Sequence, residues 1–135
     1  MPGKKAYTLI EILVVLVIIG TLAALAWPNY MSIKEKGLNR EAKANLALIR
    51  AAEKIYRMEQ GFYYPYSSST SVISDINSFL KLSLPESASV SWQITVDGGG
   101  TQAEAERAGS DGRTWNIQFP GEAEPTCSGG SYCPS

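Results

Sequence analysis

The feature that most constrains this chain is an apolar stretch over residues 7–28, which holds a single charged side chain, Glu11, near its start. At about 1.5 Å per residue, a helix of this length is roughly 30 Å long and can cross the hydrocarbon core of a bilayer. A carboxylate inside such a segment costs about 2.5 to 3.5 kcal/mol on insertion scales and therefore needs a partner. Lys4 and Lys5 precede the stretch. Lysines beside a span keep that end in the cytoplasm and send the rest of the chain outward.

The residue order at this end is a short basic leader, the small Ala6, the aromatic Tyr7, the run Thr8-Leu9-Ile10-Glu11, an apolar helix and Pro28. This order resembles the class III signal of type IV pilins and of the pseudopilins of type II secretion. In that family a prepilin peptidase cuts just before the aromatic residue, usually after a glycine, and the new amine is N-methylated. The resemblance implies a leader over residues 1–6, a cut between Ala6 and Tyr7, and methylation of the Tyr7 amine.

Two other interpretations of this stretch stay open at the level of sequence. A secretory signal peptide would use residues 12–23 as its apolar core and 24–26 as a small-x-small cleavage site. Helical patterning that continues past Pro28 argues against it. Thr8 and Glu11 also match a capping box, in which Glu11 satisfies an amide at the helix start.

The lone carboxylate also predicts how subunits would assemble. The mature chain offers only one cation near Glu11, the Tyr7 amine created by cleavage, because the first basic side chain is Lys34. Pairing Glu11 with the amine of an adjacent subunit is how the family is thought to register incoming subunits. Pro28 and Gly20 are the weak points of this helix, and we expect a kink or an opening there.

A second helical pattern runs over residues 29–60 and carries two apolar stripes. We expect one stripe to pack on this chain's own sheet and the other on neighbouring subunits, the alternative being a helix sunk more deeply in its own head. The first stripe is Ala42, Leu46, Ile49, Ala52 and Tyr56, and the second is Ala44, Leu48, Ala51, Ile55 and Met58. The remaining face is assigned to Lys43, Arg50, Glu53, Lys54 and Arg57.

The rest of the chain, residues 61–135, predicts a small head. Gly61 ends the helix. An aromatic run over 62–66 is expected to be a packed connecting loop rather than a stacking or electron-carrying surface, and 74–80 a short helix. Alternating apolar residues at 90–96 and 115–119, with a third strand over 101–108, predict an antiparallel three-stranded meander. The fold class is therefore α+β, a long amino-terminal helix packed on a small antiparallel sheet, as in type IV pilins.

Two cysteines, Cys127 and Cys133, lie close together near the carboxyl end. An even count within one short loop of an exported head predicts a disulfide, and type IV pilins often tie down their carboxyl-terminal loop in this way. Two free thiols or half of a metal site are the alternatives. The metal alternative is weak because the chain has no histidine and zinc takes four ligands.

Composition argues against several classes of function. Residues 61–135 contain three Lys or Arg and eight Asp or Glu, a net charge of −5, so nucleic-acid binding by the head is not expected. No nucleophile with a neighbouring base and no phosphate-cradling glycine motif is present, and the acidic pair Glu104 and Glu106 lacks the spacing of a calcium loop. We therefore expect no enzyme, no cofactor and no metal.

The expected function is a structural subunit that forms a helical filament for adhesion, motility or DNA uptake. A pseudopilin of type II secretion is the main alternative, and a monomeric membrane protein with one span is a third. The expected partners are further copies of this chain, the prepilin peptidase and the assembly machinery. The chain would sit in the inner membrane before assembly and outside it afterwards.

Overall fold

The computed structural model describes residues 7–86, 91–109, 111–121 and 123–134. Within these residues lie two helices, α1 (Leu9–Gln60) and α2 (Ile73–Leu80). Four strands follow: β1 (Trp92–Val96), β2 (Gln102–Arg107), β3 (Thr114–Gln118) and β4 (Thr126–Ser128). The chain divides into two compact units, Met1–Glu35 and Lys36–Ser135, and α1 contributes to both.

The two ends of α1 follow from local chemistry. Thr8 precedes the helix, and its hydroxyl oxygen accepts a hydrogen bond from the Glu11 amide at 3.3 Å. At the other end Gly61 has φ +86°, and its amide donates to the Arg57 carbonyl at 2.8 Å. A left-handed residue after the last turn favours glycine, because a Cβ would clash there. The predicted end of the helix at Gly61 is confirmed.

Gly20 and Pro28 both lie inside α1, which is helical without interruption from Leu9 to Gln60. The expected opening of the helix at these positions is therefore not present in the single chain. Proline still removes one backbone hydrogen bond, so reduced helicity here stays a prediction for the assembled filament.

The second unit is built on a four-stranded antiparallel sheet in the order β1-β2-β3-β4. Apolar residues on one face of the strands pack against the first stripe of α1 and form one core. Alanines 103 and 105 of β2 pair with bulky neighbours on both sides, Val96 and Ile94 on β1, and Ile117 and Trp115 on β3. The α+β fold class is confirmed: the long helix packs on a small antiparallel sheet.

The predicted three-stranded meander was wrong in one respect, because a fourth strand is present. β4 pairs with β3 in the register Trp115↔Cys127. It is only three residues long and mostly polar, so it carries no alternating pattern that a sequence could reveal. Its pairing with β3 is what makes it a strand. The predicted short helix corresponds to α2, whereas Val90, assigned to the first strand, lies outside the described residues.

Candidate functional site

Residues 7–30 of the first unit present an uncovered, largely apolar surface. Every residue from 7 to 30 is exposed, with Leu9 at 84% and Leu25 at 73%. The described chain contains one helix that is long and apolar enough to span a membrane, judged by length and composition alone. Contiguous apolar surface on this scale marks a contact with lipid or with other protein.

Glu11 lies in the first turn of this helix. Its amide is held by the Thr8 hydroxyl, but its carboxylate has no hydrogen-bond or ion-pair partner within the described part of the chain. Only one half of the predicted capping box is therefore formed. Tyr7 is 77% exposed, and Ala6 lies outside the described residues, so the predicted cleavage site stays a prediction.

The two apolar stripes of α1 have separate surroundings in the second unit. The first is covered by the sheet, and Leu46 and Ile49 are fully buried. The second, which we call the exposed stripe, stays uncovered: Leu48 is 53%, Ile55 54% and Met58 79% exposed. The alternative of a helix sunk deeply in its own head is therefore wrong, and one large apolar helix face is left for a partner.

Four cations line one side of α1 and form what we call the basic flank: Lys43, Arg50, Lys54 and Arg57. Arg50 donates to the Ala123 carbonyl at 2.6 Å, and Arg57 donates to the Tyr63 hydroxyl at 2.9 Å while lying over the Tyr63 ring. Lys43 lies 3.7 Å from a carboxylate oxygen of Glu124. Three of the four side chains of the basic flank thus contact this chain's own loops.

Glu53 does not belong to this flank, contrary to the sequence assignment. It is fully buried, and its Oε2 accepts a hydrogen bond from the Tyr64 amide at 2.9 Å. Burial raises the pKa of Glu53 to about 7, and the hydrogen bond offsets only part of that rise. The spacing carried the missed signal, because Glu53 follows Ile49 by four residues and Leu46 by seven on the buried side of the helix.

The carboxyl-terminal loop is tied to the head by the bond between Cys127 and Cys133, which confirms the predicted disulfide. Within this loop the Tyr132 carbonyl accepts a hydrogen bond from the Asn39 side chain at 2.8 Å. The side-chain Oδ1 of Asn39 in turn accepts a hydrogen bond from the Trp115 indole at 3.3 Å. Asn39 therefore joins the disulfide loop, the sheet and α1.

Arg113 is fully buried beside the same loop. Its guanidinium lies 5.2 Å from the Trp92 ring centre and 5.5 Å from that of Tyr132, and it approaches Asp111 at 3.5 Å. Aromatic faces stabilise a desolvated cation. The alternation of β3 carried a signal for this position, because Arg113 shares its parity with the buried Trp115 and Ile117.

The aromatic run after α1 packs as a connecting loop. Tyr64 stacks on Phe79 of α2 with ring centres 4.7 Å apart, and Tyr63 lies 5.6 Å from Phe119. Tyr66 contacts Phe62 and remains 73% exposed. The loop thus fastens the end of α1 to both α2 and the sheet.

In the residues that the structure describes, no group of three or more His, Cys, Asp or Glu side chains could hold a metal ion. The described residues present three surfaces: an uncovered apolar helix, an exposed stripe and a basic flank.

Comparison with known proteins identifies relatives of this chain. The family model described as the prokaryotic N-terminal methylation motif matches residues 1–27. The chain is 36% identical over 67 residues to the type IV major pilin protein PilA of Myxococcus xanthus, which covers 50% of this chain and 30% of that protein.

Other relatives are type II secretion system core proteins G. The protein of Klebsiella pneumoniae is 36% identical over 63 residues, covering 47% of this chain and 45% of that protein. The protein of Pseudomonas aeruginosa is 42% identical over 62 residues, covering 46% and 43% respectively. The chain thus spans less than half the length of each of these three relatives.

Proposed function

We propose that this chain belongs to the family of type IV pilins and type II secretion pseudopilins, and that it is a structural subunit of a type IV pilus-like surface filament. The observation that carries the proposal is the uncovered apolar helix, exposed at every residue from 7 to 30, with Glu11 as its single charge. In a membrane, lipid covers such a helix. Once the helix leaves the membrane, the same helices of neighbouring subunits can cover its apolar surface.

The proposal includes a maturation step. The prepilin peptidase cuts between Ala6 and Tyr7, and the Tyr7 amine is methylated. Before assembly the helix anchors the chain in the inner membrane with its amino end in the cytoplasm. After assembly the amine of one subunit neutralises Glu11 of the next, since an isolated buried carboxylate costs several kcal/mol.

The filament serves adhesion, motility or DNA uptake, and the chain acts as a building block rather than as an enzyme. The exposed stripe of α1 supports this role, because it leaves Leu48, Ile55 and Met58 uncovered beside a head that is already folded. A second apolar contact of this kind is what a polymerising subunit needs in addition to its amino-terminal helix.

A pseudopilin of type II secretion is the second candidate, and the similarity to core proteins G favours it. The disulfide near the carboxyl end favours the pilin, because the major pseudopilin of that system usually has a calcium-binding loop and no disulfide.

The test is to delete the gene, then shear and collect surface filaments from the parent strain and the deletion strain. We expect filaments composed of this chain on parent cells and none on the deletion strain. Loss of exoprotein secretion without loss of surface filaments would support the pseudopilin. A chain that stays monomeric in the membrane in the parent strain would contradict both proposals.

A further inference from the structure

Two opposite sides of α1 in the second unit carry opposite charge. At 100° per residue, the basic flank lies roughly 110° from the buried stripe, on one side of the helix axis. The other side of α1 contacts α2, where Tyr56 and Ala52 line a groove together with Phe79 and Leu82. The exposed stripe borders this groove, which Leu48 and Ile55 also line, and lies between it and the basic flank. A neighbouring chain on the left and one on the right would therefore meet different surfaces.

The basic flank is a built surface rather than a set of mobile side chains. Arg50 and Arg57 are fixed by neutral acceptors, the Ala123 carbonyl and the Tyr63 hydroxyl, so their charge is oriented but not cancelled by those contacts. Lys43 forms an ion pair with Glu124, whose side chain is 82% exposed. Such preorganised cations suit recognition of a negatively charged surface.

The opposite side, which we call the α2 flank, carries Glu59, Asp75, Lys81 and Glu86. Lys81 lies 3.7 Å from Glu59 and offsets one of the three acids, which leaves a net charge of −2. Glu86 accepts a hydrogen bond from the Asn77 side chain. Asp75 is exposed and makes no ion pair with the residues that the structure describes. The α2 flank therefore has the charge that complements the basic flank.

We propose that the basic flank of one subunit contacts the α2 flank of the next subunit in the filament. This inference rests on the proposed function, since it names the lateral contact between heads in that filament. A helical filament requires a heterologous contact, in which one surface of a subunit meets a different surface of its neighbour. Two like-charged flanks would repel each other. The basic flank and the α2 flank attract each other instead, and this attraction fixes which side of a subunit faces each neighbour.

Arg57 and Asp75 are the best pair for a test, because both lie near the end of α1. Arg57 donates a hydrogen bond to the Tyr63 hydroxyl. The pKa of Tyr64, the next residue, is raised by burial and then by the nearby Asp75 carboxylate. The experiment uses the full chain in cells that make filaments and measures the yield of sheared filaments for Arg57→Glu, Asp75→Lys and the double variant. We expect each single reversal to lower the yield about tenfold or more, and the double variant to recover most of it.

Glu106→Lys is the matched control. Glu106 lies on the face of the sheet opposite the core, and its replacement by lysine reverses one charge in the same way as the other variants. Its yield should equal that of the unaltered chain. Thermal unfolding in detergent establishes that each variant is folded, and Lys54→Glu replaces Arg57→Glu if the latter is not. Unaltered yield in both single variants, or a folded double variant with no recovery, would overturn the inference. Absence of filaments from the unaltered chain would instead overturn the proposed function.

Discussion

Two glutamates of α1 lie in apolar surroundings, and each needs either a proton or a cation. Glu53 is enclosed by its own head, where one oxygen accepts the Tyr64 amide and Oε1 has no hydrogen-bond partner among the described residues. Glu11 is uncovered in the single chain, and its neutralising partner belongs to another subunit under the proposed function. The first carboxyl group should therefore govern stability, and the second assembly.

Glu53 should make the stability of the head depend on pH. Because its folded pKa is raised from 4.5 to about 7, the folded state keeps a proton that the unfolded state releases. The free energy of unfolding should fall as pH rises from about 4.5 to about 7, by on the order of 2 to 3 kcal/mol, and the contribution should level off above that. Urea unfolding of the full chain in detergent across this range measures the slope.

Glu53→Gln should remove most of that slope, because a neutral amide does not titrate. Glu59→Gln is the control, since the Glu59 side chain is half exposed, and the slope should persist in it. An unchanged slope in Glu53→Gln would mean that another group carries the pH dependence.

Glu11 should decide whether a processed subunit enters a filament. Glu11→Ala should still be inserted and cut but should yield no filaments, because the Tyr7 amine of the neighbouring chain loses its partner. Glu11→Gln should be only partly defective. The yield of sheared filaments and the amount of processed subunit in the membrane are the measurements. If Glu11→Ala filaments form with normal yield and helical symmetry, the pairing of Glu11 does not drive assembly, and Glu11 acts only at the helix start.

At the scale of elements, α1 has two apolar stripes that differ in burial, and we expect them to differ in function. Leu46 of the buried stripe and Leu48 of the exposed stripe allow the two to be tested separately. Leu46→Ala removes a fully buried side chain and should lower the free energy of unfolding by about 3 kcal/mol. Leu48→Ala should cost less than about 1 kcal/mol, since Leu48 is 53% exposed, yet it should lower filament yield. Chemical unfolding and filament yield of the two variants test this. Equal destabilisation by both would contradict the assignment of the exposed stripe to a partner.

The disulfide loop should stabilise the head by closing a short ring and by fixing Tyr132. Replacing Cys127 and Cys133 together by serine should lower the free energy of unfolding by about 2 kcal/mol. Trp115 fluorescence should change as well, because Asn39 joins Trp115 to the Tyr132 carbonyl. Chemical unfolding and tryptophan emission of the full chain report the two effects.

Tyr132 allows a matched comparison within this loop. Tyr132→Phe keeps the backbone carbonyl and a ring over Arg113, so it should be close to neutral, whereas Tyr132→Ala uncovers the buried guanidinium and should destabilise. Equal stability of the two variants would mean that the Tyr132 ring does not stabilise the buried Arg113.

At the scale of the whole molecule, we expect processing to decide which chain assembles. The mature subunit should begin at Tyr7 with one methyl group on its amine, because the order of residues 1–28 matches the prepilin signal. Intact mass of subunits from native filaments measures this directly. Ala6→Gly should be cut in the same way, whereas a bulky Ala6→Leu should remain uncut. A mature start at Trp27 would indicate a secretory signal peptide instead.

Much of the architecture could be predicted because it depends on near neighbours in the chain. The two stripes of α1 follow from its period of 3.6 residues, and Gly61 marks the end of the helix through its own backbone preference. Apolar residues that alternate with polar ones, beginning at Trp92 and at Trp115, predicted β1 and β3. Glu53 is the exception, because its charge indicates an exposed face of the helix whereas its spacing from Ile49 indicates the buried one.

The sequence by itself determined the apolar amino-terminal helix, the position of Glu11, the α+β order of elements and the pairing of the only two cysteines, since each depends on local pattern or on count. Only the tertiary structure decided that Thr126–Ser128 is a strand and that Arg113 lies between Trp92 and Tyr132. It also decided that α2 lies against the side of α1 opposite the basic flank. The physical reason is that these features need partners many residues away. Folding brings such partners together, and no short window of sequence contains them.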